Sequence, residues 1–185
     1  MSIILNNVSF LYPEKTIFEG LTKKFRDGIF YSVSAPSGVG KTTLFRLISG
    51  LEKPCDGTIE VVGNLAYMFQ EDRLFPNLTV MENAKLSDCG VFSAEEMLDE
   101  LGILAEKDAY PDELSGGMKR RVALARTLLT TFDNIILDEP FTGLDEQTRD
   151  KAIALIKRVC SGKTLLIATH DETERQFCHE DIELK

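Results

Sequence analysis

An α/β fold, with a mainly parallel sheet covered by helices, is predicted by three observations. Short apolar runs alternate along the chain with segments whose apolar residues recur at helical spacing. Two of those runs, Ile135-Ile136-Leu137 and Thr164–Thr169, are continuously apolar, as buried strands are. A glycine-containing turn also runs straight from one strand, Ile29–Ser34, into a helix. At 185 residues the chain fits one domain, because domains usually take ~100–200 residues.

Taken in order, Ser2–Phe10 and Ile29–Ser34 read as early strands. Leu44, Leu47, Ile48 and Leu51 then mark one face of a helix that ends at Gly50 and Pro54. Thr58–Val62 and Leu65–Phe69 read as a hairpin-like pair around Gly63-Asn64. From about residue 77 to 114 only helical patterns appear. They include Ser93-Ala94-Glu95-Glu96, a capping box ahead of Met97, Leu101 and Leu104. Strand–helix alternation then resumes: Met118, Val122, Ala125 and Leu129 form a helical stripe before the first buried strand. Ala152, Leu155, Ile156 and Val159 line a helix before the second. The expectation is one domain over 1–185 with a helical insertion in an α/β core.

The composition narrows the function. Hydrophobic residues make up 43% and charged residues 28%, enough for a core and a soluble surface, with a net charge of −9. That sign argues against a grip on nucleic acid or an anionic bilayer by bulk charge. No apolar run approaches the ~18 residues of a membrane span, and the N-terminus does not read as a signal peptide. Cys55, Cys89, Cys160 and Cys178 are scattered without a short framework, which fits a reducing cytosol.

Ala35-Pro36-Ser37-Gly38-Val39-Gly40-Lys41-Thr42-Thr43 lies between a strand and a helix and gives the P-loop pattern, with Ala35 where the strict form has glycine. Gly38 and Gly40 let the backbone curl so that successive N–H groups point at phosphate oxygens. The helix N-terminus adds attraction. Lys41 supplies a charge to the β- and γ-phosphates, and the Thr42 hydroxyl can ligate Mg²⁺. Asp138 and Glu139 end an apolar strand: Asp138 is placed to hold Mg²⁺ through water, Glu139 to act as general base on an attacking water. His170 ends the next strand, where α/β sheets gather ligands. Farther up the chain, Leu114-Ser115-Gly116-Gly117-Met118 opens a helix and offers a second phosphate-binding terminus. Two such termini far apart in sequence suggest half-sites completed by a second copy.

With these motifs in this order the sequence resembles the ATP-binding cassette (ABC) family, the ATPase subunits of ABC transporters. The resemblance covers nearly the whole chain. It implies a P-loop NTPase core with a small antiparallel β-lobe and an inserted helical lobe. It also makes Tyr12 an adenine-stacking residue, 35–43 (Ser37, Gly38, Val39, Gly40, Lys41, Thr42 and Thr43 among them) the Walker A loop, and Gln70 a sensor of Mg²⁺ and γ-phosphate. Ser115, Gly116 and Gly117 become the signature, Asp138-Glu139 the end of Walker B, Asp145 part of the D-loop and His170 the switch histidine. ATP and Mg²⁺ are the implied cofactors. The implied partners are a second cassette, paired head to tail as a homodimer, an integral membrane permease and a solute-binding protein. The implied location is the cytoplasmic face of the membrane, through the permease. Leu74–Val80, beside Gln70, is the candidate contact with the permease.

The sequence departs from the family pattern in places. Met118 replaces the usual glutamine of the signature, the stretch from Lys41 to Gln70 is short, and no C-terminal regulatory domain is expected. Lys119-Arg120-Arg121 reads as a solvated helix face rather than a nucleic-acid contact. Cys178-His179 is a poor metal site for want of further ligands. A small-molecule kinase would have no use for Leu114–Gly117. A non-transport cassette acting on ribosomes or nucleic acid remains the alternative to a transporter subunit, for which the importer type is expected.

Overall fold

The computed structural model describes residues 3–35, 39–87 and 92–184. Ser37 and Gly38 of the expected phosphate loop, and Cys89, lie outside them. The strands are β1 (Ile3–Tyr12), β2 (Lys15–Phe25), β3 (Phe30–Ser34), β4 (Asp56–Val61), β5 (Leu65–Met68), β6 (Asn134–Asp138), β7 (Thr164–Ala168) and β8 (Glu180–Glu183). The helices are α1 (Lys41–Ile48), α2 (Val80–Lys85), α3 (Ala94–Glu100), α4 (Gly116–Leu128), α5 (Glu146–Val159) and α6 (Glu172–Arg175).

A five-stranded parallel sheet in the order β5-β6-β7-β3-β8 forms the centre, and a three-stranded antiparallel sheet, β2-β1-β4, lies beside it. Alternate residues of each central strand face opposite layers, which is why the runs are apolar throughout. Ile135, Leu137, Leu165 and Ile167 pack with Val122, Leu128, Leu155 and Ile156 on the helical side. Ile136, Leu166 and Ala168 pack with α1 and the antiparallel sheet through Leu44, Phe45, Leu5 and Val8. Among the described residues the helical insertion shares the helical-side core: Val80, Ala84, Met97, Leu98 and Leu101 join that cluster.

Two expected elements differ. The segments flanking Gly63-Asn64 do not form a hairpin, because β4 pairs with β1 and β5 pairs in parallel with β6. Asn64 is a crossing point between sheets: its carbonyl accepts from the Asp133 and Asn134 amides at 2.9 and 3.0 Å, and its own amide donates to the Asp133 carboxylate. Leu51 does not share the buried face of α1. That helix stops at Ile48, and Leu51 is 52% exposed. The strands β2 and β8 and the short α6 were not foreseen. The Ser93–Glu96 capping box is present in both directions, and a second one, Thr79–Glu82, opens α2.

Among the described residues, no helix is long and apolar enough to cross a membrane.

Candidate active site

The carboxyl ends of four parallel strands meet at one cleft of about 380 Å³, lined by Tyr12, Lys15, Ile17, Gly40, Lys41, Thr42, Thr43, Gln70, Glu139 and His170. The loop after β3 leads into α1, Gln70 follows β5, Glu139 follows β6, and His170 follows β7. Strand β7 lies between β3 and β6, so His170 sits between the phosphate loop and the acidic pair.

Gly40 has φ +114°, and a Cβ there would come within 2.5 Å of the Ile17 side chain, so only glycine lets the loop pass under β2. Lys41 is almost wholly buried and its ammonium donates to the Ala35 carbonyl at 2.8 Å. This holds the charge at the mouth of the loop. Thr42 donates its hydroxyl to the Asp138 carboxylate at 3.0 Å, joining the start of α1 to the end of β6. Asp138 is 1% exposed, and burial pushes its carboxyl above the ordinary value, opposed by the Thr42 hydrogen bond. A buried carboxylate of this kind gains from a cation placed beside it. Two protein oxygens, with no closed cage of acidic or imidazole ligands among the described residues, suit an ion that keeps water and phosphate ligands, as Mg²⁺ does.

Glu139 turns at the strand end with φ +53°. A non-glycine residue in that region costs about 1–3 kcal/mol and persists only where its surroundings fix it. Here its amide donates to the Ala168 carbonyl at 3.0 Å and its carbonyl accepts from Thr142. The carboxylate thus projects into the cleft. His170 Nε2 lies 3.0 Å from one of its oxygens, and Gln70 Nε2 donates to the other at 3.4 Å. The three polar groups therefore converge on one point. Tyr12 is partly exposed at the cleft rim, its ring edge-on to Phe10 at 5.0 Å.

The remaining expected site residues stand elsewhere. Ser115 caps α4, its hydroxyl accepting from the Met118 amide at 3.3 Å, and Asp145 caps α5, accepting from Thr148 at 2.9 Å. Neither they nor Gly116 and Gly117 line the cleft. Gly117 lies against the loop before α5: a Cβ there would fall 2.4 Å from the Gly143 carbonyl. The segments at Ser115–Gly117 and Gly143–Asp145 thus form one surface, separate from the cleft. Val39 packs at the edge of the core.

Sequence reasoning missed Lys15 and Ile17, because β2 was not recognised. It also misread the basic run. Arg120 is not solvated: it is 3% exposed and points into the molecule beneath Gln70 and Glu139. Arg121 donates to the Leu101 and Gly102 carbonyls at the end of α3. The signal lies on the face opposite the Met118–Leu129 stripe: position 120 shares it with Leu124 and Thr127, about one and two turns on, so the helix is buried on both sides. His179, for its part, accepts from the Phe30 amide at 2.9 Å, a structural duty between β3 and β8.

A phosphate loop after one parallel strand, with an acidic pair and a histidine ending two others, defines a P-loop nucleotide hydrolase. The ABC transporter family model matches residues 18–142. The aliphatic sulfonates import ATP-binding protein SsuB 1 of Rhodococcus jostii is 41% identical over 172 residues, 88% of this chain and 70% of that protein. SsuB of Bacillus subtilis is 35% identical, over 91% of this chain and 72% of its own length. Among solved structures, the dimeric post-hydrolysis state of the ATP-binding cassette MJ0796 bound to ADP and Pi superposes with a TM-score of 0.87. It is 28% identical and covers 99% of this chain and 94% of its own. The chain belongs to the ABC transporter family and carries its ATP-binding cassette.

Proposed function

We propose that this chain is the ATP-hydrolysing subunit of an ABC importer, with ATP and Mg²⁺ bound at the cleft of Lys41, Thr42, Gln70, Glu139 and His170. The observation that carries the reading is the convergence of Gln70 and His170 on the Glu139 carboxylate, beside the Thr42–Asp138 pair. In this reading Lys41 and the amides of the loop hold the β- and γ-phosphates, Tyr12 stacks on the base, and Glu139 accepts a proton from the attacking water. His170 and Gln70 orient that carboxylate and the γ-phosphate. Thr42 and Asp138 would hold Mg²⁺, with Gln70 in reach; the ion would neutralise charge developing on the phosphate oxygens.

Ser115, Gly116, Gly117 and Asp145 lie on a different surface, which supports a head-to-tail dimer in which they complete the partner's site. MJ0796, the similar cassette, was solved as a dimer. A groove of about 370 Å³ runs between β5 and α4, lined by Tyr67, Phe69, Phe75, Leu86 and Arg126. Phe75 and Leu86 are more than half exposed there, as a seat for a cytoplasmic helix of a membrane permease would require. Of the candidate contact stretch, Leu74 packs against the helical core while Phe75 faces out. Assembly there would hold the chain at the inner membrane face. The relatives' names support the import direction and make aliphatic sulfonates the first solute class to test; a solute-binding protein is the further partner of this importer reading.

Glu139→Gln removes the base while keeping size and hydrogen bonding. The expected outcome is ATP affinity near wild type by equilibrium titration, and turnover reduced by about 100-fold or more, the range assigned to a lost general base. Unchanged turnover would remove Glu139 from the mechanism.

A further inference from the structure

Arg120 projects from the first turns of α4 into the seam between the Gln70 segment and the end of β6. Its Nε donates to the Glu139 carbonyl at 3.0 Å and its Nη2 to the Asp138 carbonyl. On the other side Nη1 faces the Phe69 and Gln70 carbonyls at 2.9 and 3.0 Å, and the Asp72 carboxylate at 3.0 Å. One planar group therefore spans the carbonyls of both residues that end Walker B and those of the residues leading into and forming the glutamine loop. No shorter donor set could do this, because the guanidinium fork sends N–H groups to both sides at once.

Two further observations give this clamp a target. Glu139 holds a left-handed backbone, a state that endures only where neighbours over-determine it, and Arg120 bonds the carbonyls on either side of its Cα. Farther along the same helix, Arg126 donates to the Asp72 and Arg73 carbonyls, both at 3.0 Å. Helix α4 thus grips the 69–73 segment by hydrogen bonds, and Arg120 carries that grip on to the end of β6.

We infer that Arg120 is a positioning residue for hydrolysis: it registers the Gln70 side chain against the Glu139 carboxylate by hydrogen bonds to their backbones, without touching nucleotide. The inference rests on the reading of Glu139 as base and Gln70 as phosphate contact. Loss of register moves the base away from its water, and a misplacement of ~1 Å costs about 100-fold in rate. Nucleotide affinity rests on Lys41 and the phosphate loop, whereas Arg120 bonds the 69–72 segment and the end of β6, so affinity is spared.

The test compares wild type with Arg120→Met, Arg120→Lys and Arg120→Gln in the full chain, measuring single-turnover hydrolysis, ATP affinity and Tm separately. Met fills the space without donors and is expected to lose about 100-fold in rate with affinity unchanged. Gln and Lys each keep donors on a single nitrogen, which cannot reach the carbonyls on both sides at once, so each is expected to recover only part of the loss. Arg120→Met with wild-type rate, a fall in rate matched by an equal fall in affinity, or full recovery of the rate by Lys or by Gln would each overturn the inference alone. A wild-type chain that neither binds nor hydrolyses ATP would overturn the functional reading beneath it.

Discussion

Asp138 is the residue where stability and the proposed Mg²⁺ site pull in opposite directions. Its carboxyl is raised by burial, so the folded chain binds its proton more tightly than the unfolded chain does. The stabilising contribution is therefore present below the unfolded value, ~3.9, and lost as pH rises through the folded value. At pH 7, without metal, the buried charge is a cost. Asp138→Asn should then raise the Tm of the metal-free chain at pH 7, narrow the difference between pH 7 and pH 4, and abolish Mg²⁺-dependent hydrolysis. Thermal scans at the two pH values with and without Mg²⁺ check this. A lower Tm at pH 7 would mean that the Thr42 hydrogen bond outweighs desolvation. Asp138 and Glu139 were legible in the sequence because two acids closing an apolar strand stand at the carboxyl edge, where a parallel sheet gathers its ligands. Arg120 was not, since a basic run reads as solvated until the helix phase places one member inside.

The insertion carries the clearest lesson among the elements. Its capping box at Ser93 could be read directly, because the cap is local chemistry within four residues. The partners of β4 and β5 could not, because a short apolar run on either side of Gly63-Asn64 carries no mark of whether it pairs with its neighbour or with a distant strand. Asn83 is a further case. It is fully buried on α2 and donates to the Phe75, Leu78 and Thr79 carbonyls while accepting from the Phe75 amide at 2.9 Å. The segment carrying the exposed Phe75 is thus shaped by one side chain. Asn83→Leu removes the partner of the Leu78 carbonyl and of the Phe75 amide, at about 1–3 kcal/mol for each buried group, while the Phe75 and Thr79 carbonyls keep the Leu78 and residue-83 amides. The expected loss is about 3 kcal/mol by urea unfolding, with catalysis in the remaining folded chain retained. A loss within ~0.5 kcal/mol, the size of ordinary surface substitutions, would show that the segment is held by other contacts.

At the scale of the whole molecule, the fold separates two surfaces that the proposed dimer would bring together. One is the cleft where four strand ends converge. The other is the Ser115–Gly117 helix start, packed against Gly143. In the proposed head-to-tail dimer a second copy related by a two-fold axis would bring each to the other, and loss of the γ-phosphate would open the pair. The most direct measurement of this account is the mass in solution of the Glu139→Gln chain with saturating Mg²⁺·ATP, by light scattering, with and without a Ser115→Arg change. The account predicts a dimer with ATP, a monomer without it, and a monomer in both conditions once Ser115 is replaced. A Glu139→Gln chain that binds ATP yet stays monomeric, or one that still dimerises with Arg at 115, would contradict it.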